Sequence, residues 1–117
     1  MSHDSHRFQI LNADYEPEDL AAQLPRVGIL LRQIPGRDRP DYWLAALDTP
    51  LSWNDSGTTR EIKHVVLAAR YVGQSISLPV RRLTTGISYV VDESVLDDKE
   101  LDFHKCRYVA IGEIDRP

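Results

Sequence analysis

The sequence predicts a mainly β domain: a twisted antiparallel sheet, or a partly open small β-barrel of about five strands, with a short N-terminal helix. Three features of the chain carry that expectation. β-Branched and aromatic residues gather in short runs at 26–34, 42–47, 87–91 and 106–114. Turn chemistry separates the runs, most densely in Pro35-Gly36-Arg37-Asp38-Arg39-Pro40. The 117 residues, 42% of them hydrophobic, suffice for one core without metal or disulfide staples, and the single cysteine cannot close an internal disulfide. An α+β arrangement with a helix at 59–72 is the alternative.

In chain order, residues 1–7 are polar and patternless and are expected to be a disordered N-terminus, leaving 8–117 as the globular domain. The helix follows. Asp14 or Glu16 precedes Pro17 at a first helical position, Leu20 and Leu24 stand four apart, and Pro25 stops the segment after about two turns. Residues 26–34 are apolar between Pro25 and Pro35, which predicts a buried strand with a bulge at Gly28, joined by a hairpin loop to a strand at 42–47.

Residues 51–73 satisfy two rules at once. Ile62, Val65, Val66, Ala69 and Val72 fall on one helical face behind a Thr58–Glu61 capping box. Yet Trp53-Asn54-Asp55-Ser56-Gly57-Thr58 reads as a tight hairpin loop followed by β-branched residues, and the strand is preferred because that turn signal is local and specific. Residues 74–86 read as an irregular connection, and the acidic stretch 92–102 as a linker with a helical turn around 96–101. In the last strand Tyr108 and Ala110 share one face, Val109 and Ile111 the other. The expected core is Leu20, Val27, Ile29, Leu31, Leu44, Leu47, Val66, Val90, Val109 and Ile111.

Several function classes lose support at this level. A net charge of −4 repels polyphosphates, so nucleic acid is disfavoured as a partner. The longest apolar run, Val65-Val66-Leu67-Ala68-Ala69, is far short of a membrane-crossing helix, and with no export signal visible the cytoplasm is the expected compartment. No phosphate-cradling glycine loop or nucleophile elbow occurs. Histidines at 3, 6, 64 and 104 and one cysteine lack the paired spacing of a zinc site, and 92–102 does not fit a calcium loop, so neither metal nor cofactor is expected.

Two constellations remain. His104 and Cys106, two apart, share a face if the last strand begins by His104, and with His64 they supply the residue types of an acid-base or nucleophile pair; the plainer reading makes Cys106 a small buried hydrophobe and His104 a surface residue. The second is charge segregation. Residues 60–91 carry a net +4 and residues 92–102 a net −5. Arg70, Arg81 and Arg82 converging beside Tyr71 would hold a carboxylate or phosphate, since guanidinium forks bind planar anions; the plainer reading is mutual neutralisation across the surface. Among the aromatics, Trp53 is the expected exposed member because it borders a turn. The expected function is a non-enzymatic binding or protein-interaction module for a small anionic ligand or an acidic protein partner, with homodimerisation over a β-edge a further option. The alternative is a small enzyme or enzyme subunit using His64, His104 or Cys106.

Overall fold

The computed structural model describes residues 4–14 and 18–117, and the side chains at 18, 19, 55, 108 and 109 lie outside that description. Six strands, β1 (Arg7–Ile10), β2 (Arg26–Ile34), β3 (Tyr42–Asp55), β4 (Thr58–Ala69), β5 (Leu83–Val90) and β6 (Cys106–Asp115), form a closed barrel, each antiparallel to its neighbours. One helical turn, α1 (Glu18–Ala21), lies between β1 and β2. The small antiparallel barrel expected from the sequence is therefore the fold, but it has six strands and is closed. The additional strand is β1, whose four residues pair with both β2 and β6. In the sequence it shows only as an apolar cluster beside a polar start. Of the segment expected to be disordered, Asp4–His6 form a 3-10 turn, the His6 ring meets Trp43 edge-on at 5.9 Å, and Arg7 pairs with Asp48; residues 1–3 lie outside the described residues.

Of the two-turn helix expected, the described residues show the turn Glu18–Ala21, which ends before Leu24. Leu20 is fully buried in the core, and Gln23 grips β3 by donating to the Ser52 carbonyl at 2.7 Å and accepting the Ser52 N–H at 2.8 Å. Asp14 does not cap it but bridges to Ile111 of β6; Glu16 and Pro17 lie outside the described residues.

β2 has the bounds read from the sequence, but its bulge lies between Leu30 and Arg32 rather than at Gly28. Before the bulge its facing is also the reverse of that expected. Gly28 and Leu30 point into the barrel, whereas Val27 and Ile29 are half-buried and Leu31 is 46% exposed. Gly28 answers a different need: a Cβ there would overlap the Ala46 carbonyl oxygen and come within 2.8 Å of the Phe8 ring. Its absence lets β1, β2 and β3 close tightly.

β3 and β4 meet at Ser56-Gly57, both in the left-handed region (φ 51° and 89°), with the Gly57 N–H donated to Asn54 Oδ1 at 3.0 Å. The strand reading of this stretch holds and the helix at 59–72 is overturned. Trp53, expected to be exposed, is buried in the barrel core. β4 mimicked a helical face because it is buried on both sides: Val65 and Leu67 belong to the barrel interior, Val66 to a second core outside it.

That second core exists because residues 91–105 fold back over the barrel as a strap, laying Val95 and Leu101 on Ile34, Leu44, Val66 and Val90. Arg32, turned outward by the bulge, fastens it by donating to the Leu96 and Asp98 carbonyls at 3.0 and 2.6 Å, and the Leu101 N–H donates to Pro35 O at 2.8 Å. The helical turn expected at 96–101 lies earlier, as the 3-10 turn Glu93–Asp97, with another at Phe103–Lys105. In β6 it is Ala110 and Ile114 that enter the interior; Ile111, expected in the core, is half-buried on the other face, and the Val109 side chain lies outside the described residues. The irregular connection ends earlier than expected, at 82, because residues 83–86 already pair with β4 and β6 as the first half of β5; it sends Ile76 and Val80 into the barrel core.

Candidate functional site

Beyond the strap, the outer face of β4–β6 lies at the bottom of a depression. The register sets Ala68 opposite Gly86, Gly86 opposite Ile111 and Val66 opposite Ser88, so the small outward-facing residues Ala68, Gly86 and Ser88 adjoin on β4 and β5, with Ile111 of β6 beside them. They floor an open cleft of about 530 Å³, within the range of small-molecule sites. Tyr42 and Phe103, stacked edge to face at 5.3 Å, form part of its wall, and Arg39 and Arg70 also line it.

The polar groups of the wall are held unequally. Arg39 grips Asp41 through two hydrogen bonds of 2.5 and 2.8 Å and donates to the Ala69 carbonyl at 2.7 Å. This guanidinium holds the Asp41 carboxyl below the ordinary carboxylate range. Burial, then the Asp38 carboxylate that accepts its hydroxyl, push Tyr42 up to about 12. Arg70 differs: exposed, it lies over the Tyr71 ring at 5.7 Å and makes no ion pair among the described residues. It is the cation of the cleft left available to an anion.

Gly86 is the most informative residue of the floor. A glycine inside a strand costs about 0.5 to 1 kcal/mol relative to alanine, so some constraint usually explains it. Here neither steric crowding nor backbone conformation does, because a Cβ at Gly86 would meet nothing within 4 Å and its φ lies outside the left-handed region. What the missing side chain preserves is the open trough.

The arginines singled out in the sequence do not converge. Arg70 and Tyr71 lie together; Arg82 is engaged by Glu113 through hydrogen bonds of 2.9 and 3.1 Å; Arg81 is exposed and does not line the cleft. Gly86, Ser88 and Ile111 carry no local signal, since only the pairing of β5 with β6 assembles them.

Nor does the structure assemble the cysteine and histidines into a pair. His104 lies on the 3-10 turn before β6, its side chain fully exposed and 3.2 Å from Asp102. Cys106 packs against the second core, and burial pushes its thiol up to about 11. His64 Nδ1 is buried 2.6 Å from Glu93 Oε2, off the direction of a ring N–H bond, so the contact joins β4 to the strap without a formed hydrogen bond. No hydrogen bond or ion pair links any two of the three among the described residues. Iodoacetamide is accordingly expected to label Cys106 slowly in the folded chain at neutral pH and rapidly after unfolding, because the thiolate is the reactive form; labelling in the folded state as fast as in urea would contradict this burial.

Among the described residues no group of three or more His, Cys, Asp or Glu is placed to hold a metal, and no helix is long and apolar enough to cross a membrane. In comparisons with known proteins, no family model, no curated protein and no solved structure matches the chain.

Proposed function

We propose that this barrel is a non-enzymatic binding module that takes a small anionic ligand with an apolar body in the cleft over β4–β6. The observation that carries the reading is Gly86: a strand glycine that packing does not require keeps an apolar trough open, and the trough is lined by an arginine without an acidic partner. Ala68, Gly86 and Ile111 receive the apolar body, the Tyr42–Phe103 wall flanks it, and Arg70 receives the anion. The cluster of three arginines reduces to one, because Arg82 already has its carboxylate and Arg81 does not line the cleft. The enzyme alternative draws no support from the positions of His64, His104 and Cys106.

The test is titration calorimetry with two apolar monocarboxylates, 3-phenylpropionate and 4-methylpentanoate. Losing one charge-assisted contact costs about 1.5 to 3 kcal/mol, so Arg70→Ala should weaken binding by about tenfold or more. Gly86→Val fills the trough and should abolish binding while the melting temperature stays level or rises, since valine suits a strand and glycine does not. Absence of binding by the unaltered chain, or equal binding by Gly86→Val, would refute the reading.

A further inference from the structure

Beside the apolar cleft lies a polar recess of about 380 Å³ that shares Arg70 and Ile111 with it. Its acids are Asp14 and Glu113. Glu113 is occupied: it binds Arg82 through both oxygens and accepts from Asn12 Nδ2 at 3.3 Å. Asp14 has no ion pair among the described residues, although its backbone is fixed to β6 by donating to Ile111 O at 2.6 Å and accepting the Ile111 N–H at 3.4 Å. Gly112 allows this close approach, because a Cβ there would overlap the Asn12 carbonyl oxygen. Arg70 and Asp14 thus line one recess with opposite charges, are not within ion-pair distance of each other, and border an apolar trough.

We infer that the ligand is zwitterionic: an apolar α-amino acid, or another apolar molecule with an ammonium beside its carboxylate, whose carboxylate meets Arg70 and whose ammonium meets Asp14 while the side chain lies in the cleft. This rests on the reading of the cleft given above and adds the second charge. A lone carboxylate satisfies Arg70 and leaves Asp14 in water, whereas an α-ammonium carboxylate carries both charges a few bonds apart. Charged ends across a recess and a hydrophobic body in the neighbouring trough form a selective arrangement, since a ligand lacking either charge forgoes one charge-assisted contact.

The experiment pairs each amino acid with its deaminated acid: L-phenylalanine with 3-phenylpropionate, and L-leucine with 4-methylpentanoate, titrated by calorimetry into the unaltered chain and into Asp14→Asn. In the unaltered chain at least one amino acid should bind about tenfold tighter than its deaminated partner, the worth of one charge-assisted contact. In Asp14→Asn that advantage should vanish while the deaminated acid binds as before. Equal or tighter binding of both deaminated acids to the unaltered chain overturns the zwitterion and leaves the carboxylate reading standing. An advantage that survives Asp14→Asn overturns the role of Asp14, and binding by none of the four compounds overturns both readings. Matching melting temperatures for the two chains show that the variant is folded.

Discussion

Leu30→Asp is expected to abolish folding, whereas Leu31→Asp, one residue along, is expected to leave the barrel intact. Leu30 is 2% exposed inside the barrel; Leu31, at the bulge of β2, is 46% exposed. An aspartate at 30 loses the apolar burial of leucine and places a carboxylate among apolar side chains, a combined cost comparable with the roughly 5 to 15 kcal/mol that holds a domain together. At 31 the charge reaches water and the change should stay within about 1 kcal/mol. Circular dichroism with urea titration reads the difference. Similar midpoints for the two variants would show that the facing of β2 is not as described.

Gly28→Ala is expected to destabilise the barrel by about 3 kcal/mol, the upper end of overpacking costs, although it adds a single methyl group. The new Cβ would overlap the Ala46 carbonyl oxygen, which is backbone, and crowd the Phe8 ring, so β2 must part from its neighbours to admit it. Gly86 supplies the contrast, because there the same methyl group enters open space. Gly86→Ala should therefore be neutral or stabilising by up to about 1 kcal/mol. The urea midpoint should fall for the first variant and hold or rise for the second, with little change in the slope that reports the surface exposed on unfolding. A comparable loss in both would mean that Gly86 serves packing after all.

Local turn chemistry is decisive at Ser56-Gly57, and Pro25 and Pro35 bracket β2, so the strand type and the bounds of β2 are legible, whereas β3 runs on past Leu47 to Asp55 and β5 begins at Leu83 rather than at Ile87. Facing is not legible. In β2 every position from Val27 to Leu31 except Gly28 is apolar, and in β6 Ala110 and Ile111 are adjacent apolar residues, so composition does not choose between the two faces; pairing with the neighbouring strands does, and the interior takes Leu30 and Ala110. β1 was too short to announce itself, and the strap's second core made β4 look like a helix. At the candidate site Arg70 and Tyr71 stood out as a basic and aromatic neighbouring pair. Gly86 and Ser88 of β5 meet Ile111 of β6 only through strand register, and Asp14, which reads as a helix cap, lines one recess with Arg70 because it bridges to β6.

The most direct measurement of the central claim is a chemical-shift map of the backbone amides of the ¹⁵N-labelled chain during titration with 3-phenylpropionate. Binding in the cleft predicts shifts concentrated on Ala68, Gly86, Ser88 and Ile111, drawn from three strands that adjoin only in the folded barrel, and on Arg70 just after β4, with the turn at Ser56-Gly57 unmoved. Shifts centred on Arg81 and Arg82, or confined to the strap's acidic residues, would place the anion elsewhere and contradict the account.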